Sequence, residues 1–188
     1  MGVRQATSAF GRSASRALSV ALTALFAALY AGLVVALPFI SFQVFQVRVA
    51  DALLPLAIPF GWPAILGFTI GCFAGNFAGI MAGIPASGVL VDACGGAAAN
   101  FLGCYLAHRL AGSSTDKRRL LAATFVITAV LTAIVGTYLP LILGLPIWLG
   151  WTGIFLGSLV AVNVLGYPLL LAVLRLRLDR LTPLRGIP

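Results

Sequence analysis

Two long stretches of this 188-residue chain, residues 52–91 and residues 120–174, contain no Asp, Glu, Lys or Arg. The whole chain is 61% hydrophobic and only 9% charged, whereas soluble domains average roughly a quarter charged residues. A helix needs only about 20 apolar residues to cross a bilayer, and no soluble domain of this size could bury both stretches. The pattern predicts an integral membrane protein and excludes a soluble enzyme, a nucleic-acid-binding protein and a secreted disulfide scaffold.

The basic residues predict how the chain is oriented in the membrane. There are 12 Lys and Arg residues against four acidic ones, which gives a net charge of +8. All but Arg48 fall into three groups: Arg4, Arg12 and Arg16; Arg109, Lys117, Arg118 and Arg119; and Arg175, Arg177, Arg180 and Arg185. Short loops rich in Lys and Arg stay in the cytoplasm. We therefore expect cytoplasmic N- and C-termini and an even number of crossings between consecutive groups.

This even count predicts six transmembrane helices. Three long apolar segments, near residues 15–37, 62–82 and 86–111, separate the first two basic groups, so a fourth crossing is needed. Only residues 46–59 can provide it, although this short segment, read alone, resembles a re-entrant or interfacial piece. Proline punctuates helices, so Pro140 and Pro146 divide the remaining apolar stretch into helices near residues 118–140 and 147–174. The prediction is an all-α integral membrane protein with one domain over residues 1–188.

The first apolar segment could alternatively be a cleavable signal peptide. Its apolar part, residues 17–37, is longer than the 7–15 residues of a typical signal-peptide core, and no clean cleavage site follows it. We therefore predict that it is the first transmembrane helix.

Arg48, Asp51 and Asp92 are charged side chains within predicted spans. A charge inside a membrane costs at least roughly 2.5–3.5 kcal/mol unless it finds a partner or a cavity. At about 1.5 Å of rise per helical residue, these three side chains and Asn76 lie at one depth, in the outer third of the membrane. The four residues predict a polar pocket open to the outside. The alternative is an Arg–Asp pair that only ties helices together.

The chemistry of this pocket suits a small planar ligand with both donors and acceptors. A carboxylate can accept two parallel N–H bonds from an edge such as that of guanine. Trp148 and Trp151 could stack on such a ring, although interfacial aromatic residues have the same pattern, and Tyr138 is a candidate for the rim. Asn100 and Asn163 lie deeper, where hydrogen bonding between helices is an equal alternative.

Small residues recur every fourth position on two helices, a spacing that lets another helix approach closely. In helix 1 they are Ala24, Ala28 and Gly32, together with Ala27 and Ala31. Either internal packing or a partner protein explains this face. In helix 3 they are Gly71, Gly75 and Gly79, which predict a tight crossing with Gly95 and Gly96 of helix 4.

Several kinds of chemistry have no support in the sequence. Cys72, Cys94 and Cys104 lie in apolar helices without metal-ligand spacing, and His108 is the only histidine. A zinc site needs more ligands than these, and no Walker motif is present for ATP hydrolysis. We therefore expect no cofactor, no metal and no enzymatic activity.

One run of residues resembles a known family. Gln46-Val-Arg48-Val-Ala-Asp51-Ala-Leu resembles the Q-[FV]-R-[VI]-[SA]-[ED]-A-L run of the QueT family of queuosine-precursor transporters. Three further segments are similar to family segments, and the similarity extends over about residues 20–172. These segments are Gly71-Cys72-Phe-Ala-Gly-Asn76, Asp92 followed by Gly95 or Gly96, and Gly166-Tyr167-Pro168-Leu169.

The resemblance implies a substrate-binding S component of an energy-coupling-factor (ECF) importer in a prokaryotic plasma membrane. Such components have six helices and an outward pocket, carry no ATPase, and are thought to topple in the membrane to deliver their ligand. They associate with a membrane T subunit and two cytoplasmic ATPases, partly through an Ala-xxx-Ala face on helix 1. In this chain we assign that face to Ala24, Ala28 and Ala31.

The implied ligand is a 7-deazaguanine, either queuine or its precursor base. We assign substrate binding to seven residues: Gln46, Arg48, Asp51, Asn76, Asp92, Trp151 and Ser158. Two of them depart from the family pattern, because Ser158 stands where an acidic residue is expected and Asp51 replaces the commoner Glu. The change at Ser158 favours, as an alternative, the same architecture with a vitamin or an ordinary purine as ligand. A structural membrane subunit and a membrane-embedded enzyme remain alternatives from other classes.

Overall fold

The computed structural model describes residues 2–37, 47–81, 83, 85–112 and 114–177, with side chains from residue 15 onward. Within these ranges every regular element is helical. The elements form six helices: α1 (Gly2–Ala36), α2 (Val49–Phe60), α3 (Trp62–Ile80), α4 (Ala86–Ala111), α5 (Lys117–Leu143) and α6 (Ile147–Arg175). The predicted all-helical fold is confirmed.

Five of these helices are long and apolar enough to cross a membrane: α3, α4, α5, α6 and the Ser15–Ala36 part of α1. Three boundaries differ from the sequence prediction by three residues or more. Helix α2 begins at Val49 rather than at residue 46. Helix α1 begins at Gly2 rather than near residue 15. Helix α5 continues past Pro140 to Leu143, because a proline in the last turn removes only one backbone hydrogen bond near a helix end. Gly144, in the left-handed conformation at φ 67°, follows the last turn.

Helix α2 has few residues, but most of it is a 3₁₀-helix, which rises further per residue than an α-helix. Residues Val49–Leu56 form a 3₁₀-helix of eight residues, and Ala57–Phe60 add four α-helical residues. At about 2.0 Å per residue for the first part and about 1.5 Å for the second, α2 extends roughly 22 Å. The hydrocarbon core is about 30 Å thick. Most of α2 is buried in the bundle, so protein rather than lipid surrounds this irregular backbone.

The glycine row of α3 packs against α1. A Cβ on Gly71 would lie 2.5 Å from the Ala27 carbonyl oxygen, and one on Gly75 would lie 3.2 Å from the Ala31 Cα. The prediction that this row faces α4 was therefore wrong, because four-residue spacing defines a face but not the neighbour that covers it. Gly96 of α4 does face α3, since a Cβ there would lie 2.8 Å from the Asn76 amide nitrogen.

Helices α5 and α6 cross where small residues meet, and a polar cluster joins them further along. A Cβ on Gly150 would lie 2.6 Å from the Gly136 carbonyl oxygen. Asn163 lies in a π-helical stretch of α6, Leu159–Gly166. Its amide nitrogen donates to Thr124 Oγ1 at 2.9 Å, and Thr128 Oγ1 donates to its Oδ1 at 2.6 Å. Asn163 thus joins α5 to α6 by hydrogen bonds.

Contacts at the helix ends show that α2 and α4 end at the same end of the bundle and that α5 and α6 run in opposite directions. His108 Nδ1 lies 2.9 Å from the Ile58 carbonyl oxygen, which joins the ends of α4 and α2. The Tyr167 hydroxyl donates to the Lys117 carbonyl at 3.1 Å, which joins the later part of α6 to the start of α5. We call this end of the bundle, which carries the middle basic group, the basic end. The opposite end, where α4 begins, is the site end.

Candidate functional site

A buried ion pair lies toward the site end. Arg48, immediately before α2, places its Nη2 atom 3.6 Å from Asp92 Oδ2 of α4. The two residues are only 5% and 1% exposed. Their burial removes most of the hydration that charged groups have in water, so the mutual attraction and further hydrogen bonds must offset a large desolvation cost.

Two tyrosines each donate a hydrogen bond to a carboxylate. The Tyr30 hydroxyl of α1 donates to Asp51 Oδ1 at 2.5 Å, and the Tyr138 hydroxyl of α5 donates to Asp92 Oδ1 at 2.7 Å. Hydrogen bonds to an ionised acceptor are among the stronger ones in proteins. Tyr138 was expected at the rim of the pocket. Tyr30 was missed, because a tyrosine in an apolar helix has the same pattern as a core aromatic residue.

Asn76 and Cys72 connect α3 to the same cluster. The Asn76 amide nitrogen donates to the main-chain carbonyl of Asp92 at 2.7 Å, and Arg48 Nη1 lies 3.8 Å from the Cys72 sulfur. The sequence assigned Cys72 to apolar packing only. Its position four residues before Asn76 was the available signal, because residues four apart share a helix face.

Asp51 and Arg48 also line a small cavity beside the cluster. The cavity has a volume of about 10 Å³, which is close to the space needed for one water molecule. Its lining consists of Arg48, Asp51, Gly96, Asn100, Leu131, Val135, Ile154 and Ser158. A bicyclic base is many times larger than this volume, so a ligand of that size requires the surrounding helices to move apart.

The structure brings Arg48, Asp51, Asn76 and Asp92 together near the cavity and places Ser158 in its wall. It does not place Trp151 there. Trp151 is 50% exposed, and its indole nitrogen donates to Thr137 Oγ1 at 3.1 Å on the surface of the α5–α6 pair. This position matches the interfacial alternative. Gln46 lies outside the described residues.

Helix α1 has two faces rich in small residues. Ala31 packs against α3 at Gly75, so it belongs to the internal face. Ala24 and Ala28 are exposed, and a Cβ on Gly32 would meet nothing within 4 Å. We call Ala24, Ala28 and Gly32 the outer α1 face. The assignment of Ala31 to a partner interface therefore conflicts with its packing.

The part of the chain that the structure describes contains no group of three or more His, Cys, Asp or Glu side chains that could hold a metal ion. The ionisable groups at the site end instead bond to one another and to the two tyrosines. This arrangement suits recognition of a polar molecule by hydrogen bonds and charge.

Apolar helices of membrane-spanning length around a buried polar cluster define a multi-pass membrane protein. Comparison with family models then assigns this membrane protein to a family. The model described as QueT transporter matches residues 20–175, most of the chain. The protein belongs to the QueT transporter family. Searches of curated proteins and of solved structures gave no significant match.

Proposed function

We propose that the protein is the S component of an ECF-type importer and binds a queuosine precursor, queuine or a related 7-deazaguanine. In this proposal it captures the ligand outside a prokaryotic cell and releases it to the cytoplasm. The observation that carries the proposal is the buried cluster of Arg48, Asp51 and Asp92 beside a cavity, in a chain of the QueT transporter family.

The cluster offers the right kinds of groups for such a base. A 7-deazaguanine presents adjacent N–H donors and a carbonyl acceptor on one edge. Carboxylates accept the donors, and an arginine donates to the acceptor. Asp51 is the best-placed carboxylate, because it borders the cavity and its Oδ1 already accepts a hydrogen bond from Tyr30. Ligand donors would bond to Asp51 when the helices move apart.

A binding titration of the purified protein tests this proposal. Quenching of tryptophan fluorescence is measured with queuine, its precursor base, guanine, adenine and several water-soluble vitamins. We expect a 7-deazaguanine to bind with a Kd of about micromolar or lower, which corresponds to about −8 kcal/mol. Asp51→Asn should weaken this binding at least about tenfold, since a carboxylate bond to a ligand N–H is worth about 1.5–3 kcal/mol.

Asp116→Asn is the matched control for this titration. Asp116 is exposed at the basic end, where its carboxylate accepts a hydrogen bond from the Arg118 backbone nitrogen. The same chemical change there should leave the Kd unchanged. Absence of binding by every 7-deazaguanine, or an Asp51→Asn variant with wild-type affinity, contradicts the proposal.

A second candidate ligand class follows from Ser158. This neutral side chain lines the cavity at the position where the family resemblance leads us to expect an acidic residue. A pocket with one carboxylate fewer suits a less basic ligand, such as a vitamin or an ordinary purine. Tighter binding of one of these in the titration would favour this candidate over a 7-deazaguanine.

The outer α1 face supports the proposed partners, a membrane T subunit and two cytoplasmic ATPases. Its small residues leave room for another helix to approach closely. Ala28→Leu should abolish co-purification of the ATPases while the Kd for ligand stays unchanged. The matched control is Ala98→Leu, a substitution of the same size at an exposed position of α4. Normal co-purification with Ala28→Leu would refute this contact.

Binding and assembly readouts also separate the proposal from a structural subunit. If the cluster only holds an assembly together, Arg48→Gln and Asp92→Asn should change co-purification and leave ligand binding intact. For an S component we expect the loss to be in ligand binding.

A further inference from the structure

Asn100 of α4 is a buried polar side chain that the proposed site does not yet use. It is 1% exposed and lines the cavity beside Asp51. Its amide nitrogen has no hydrogen-bond partner among the described residues. A buried donor left in this state destabilises the protein, so a role in ligand binding would explain its presence.

Asn163 shows how this chain treats a buried asparagine with a structural role. Its amide nitrogen and oxygen are both bonded, to Thr124 and Thr128 of the neighbouring helix. The Asn100 nitrogen points to no such partner within the described part of the chain. Hydrogen bonding between helices, the alternative for both residues, therefore accounts for Asn163 and not for the Asn100 donor.

The lining of the cavity combines a residue that can donate with a residue that accepts. Asp51 and Asn100 both line it. Asp51 carries a carboxylate, which accepts hydrogen bonds, and Asn100 carries an amide nitrogen, which donates and has no partner among the described residues. Together they present the complement of a lactam, in which a carbonyl oxygen adjoins a ring N–H.

We propose that Asn100 and Asp51 together recognise the lactam edge of the ligand, with Asn100 donating to the ring carbonyl and Asp51 accepting from the adjacent N–H. This inference rests on the proposed function and makes Asn100 a specificity-determining residue. It selects heterocycles that carry an oxo group beside N–H. A base with an amino group at that position has no proton on the adjacent ring nitrogen. That nitrogen would face the Asp51 carboxylate, an acceptor against an acceptor, which strongly disfavours binding.

A double-mutant cycle between side chain and ligand tests the proposal. The ligands are 7-deazaguanine and its 6-thioxo analogue, which keeps the ring N–H while sulfur accepts hydrogen bonds more weakly than oxygen. The wild-type protein should prefer the oxo ligand by about tenfold. Asn100→Leu should weaken binding of the oxo ligand by roughly 10- to 100-fold, the range expected when a buried acceptor loses its hydrogen-bond donor. Most of the preference should disappear with it.

Thr128→Val is the control, because it also replaces a buried polar residue by an apolar one of similar size, and Thr128 does not line the cavity. It should retain the oxo preference. If Asn100→Leu does not fold, Asn100→Ala removes the donor with a smaller side chain and should show the same loss of preference. Ligand-free Asn100→Leu should melt no lower than the wild-type protein, because the substitution removes an unpaired buried donor.

The outcomes separate this inference from the proposed function. If the wild-type protein binds neither ligand, nor any 7-deazaguanine, the proposed function fails and this inference with it. If the wild-type protein binds and the Asn100 variants keep the oxo preference, or lose both ligands equally, only the role of Asn100 is refuted.

Discussion

Arg48 and Asp92 carry opposite charges 3.6 Å apart, at positions almost sealed from solvent. A buried pair of this kind contributes little net stability compared with apolar residues of similar volume, whereas removing one partner leaves the other charge uncompensated. The pair therefore acts as a constraint on what surrounds it. Tyr138 and the Arg48 guanidinium together hold the Asp92 carboxylate in place.

We expect Arg48→Met to destabilise the protein by about 3–5 kcal/mol, because it strands the Asp92 charge. Adding Asp92→Asn should restore a good part of the loss, since the amide oxygen can still accept from Tyr138. The measurement is the thermal unfolding midpoint in detergent for the two single variants and the double variant. Destabilisations that simply add would show that the two charges are not coupled. Ligand binding should be absent from Arg48→Met and from the double variant alike.

The level of the polar residues could be predicted from the sequence, but not the direction of every side chain. Helical rise is constant, so Asn76 and Asp92 could be expected close to Arg48, and Asp92 contacts both residues. Depth says nothing about rotation around the helix axis, and for that reason Trp151 was expected in the pocket although it lies on the outer surface. Tyr30 was missed because only the tertiary structure brings it to Asp51.

Helices α1 and α3 pack closely because glycines of α3 have no side chain at their contact. Gly71 allows the α3 backbone to approach Ala27 so closely that any added atom would meet main chain. Helix–helix contacts in a membrane depend on close packing of this kind. Lipid tails are as apolar as the side chains, so no hydrophobic driving force brings the helices together.

Gly71→Ala should destabilise the protein by about 1–3 kcal/mol, since its Cβ would lie 2.5 Å from the Ala27 carbonyl oxygen and overpacking of this kind forces the backbone to shift. Gly32→Ala is the control. There a Cβ meets nothing within 4 Å, so we expect no loss or a gain of about 0.5–1 kcal/mol from reduced backbone freedom. Unfolding midpoints measured in one detergent compare the two. Equal midpoints would contradict the close α1–α3 contact.

Helix α2 shows what element-level sequence reasoning can and cannot predict. The distribution of Arg and Lys required a crossing within residues 46–59. A helix is present at Val49–Phe60, but it is shorter than the five helices of membrane-spanning length, so the crossing stays a prediction. Its 3₁₀ geometry could not be predicted, because burial by neighbouring helices stabilises this backbone and burial is a property of the assembled bundle. At Pro140 a local sequence signal gave the wrong boundary. Proline was expected to end α5, but the helix continues for one more turn, to Leu143.

At the scale of the molecule, the arrangement of the helices does not determine which end of the bundle faces the cytoplasm. The basic residues predict this orientation. The basic end carries exposed Arg109, Lys117, Arg118 and Arg119, and the positive-inside rule predicts that this end is cytoplasmic. The site end, with Arg48 and Asp92, then lies toward the outside. The termini should be cytoplasmic as well.

Cysteine labelling tests this orientation. Gly83→Cys lies between α3 and α4 near the site end, and Ser114→Cys lies between α4 and α5 at the basic end. In intact cells, a membrane-impermeant maleimide should label Gly83→Cys and should label Ser114→Cys only after permeabilisation. The unsubstituted chain gives the background from Cys72, Cys94 and Cys104. The reverse pattern would place the site on the cytoplasmic side.

The small size of the cavity at Asp51 and Asn100 has a consequence for how tightly any ligand can be observed to bind. A space of about 10 Å³ accommodates no bicyclic base, so the proposed ligand would bind a more open conformation than the one described. If that conformation makes up about 1% of the molecules, the observed Kd is about 100 times the intrinsic one. The rate of association then levels off, at high ligand concentration, at the rate of opening. For such a ligand, measured affinity would report the equilibrium between closed and open forms as well as the fit of the ligand.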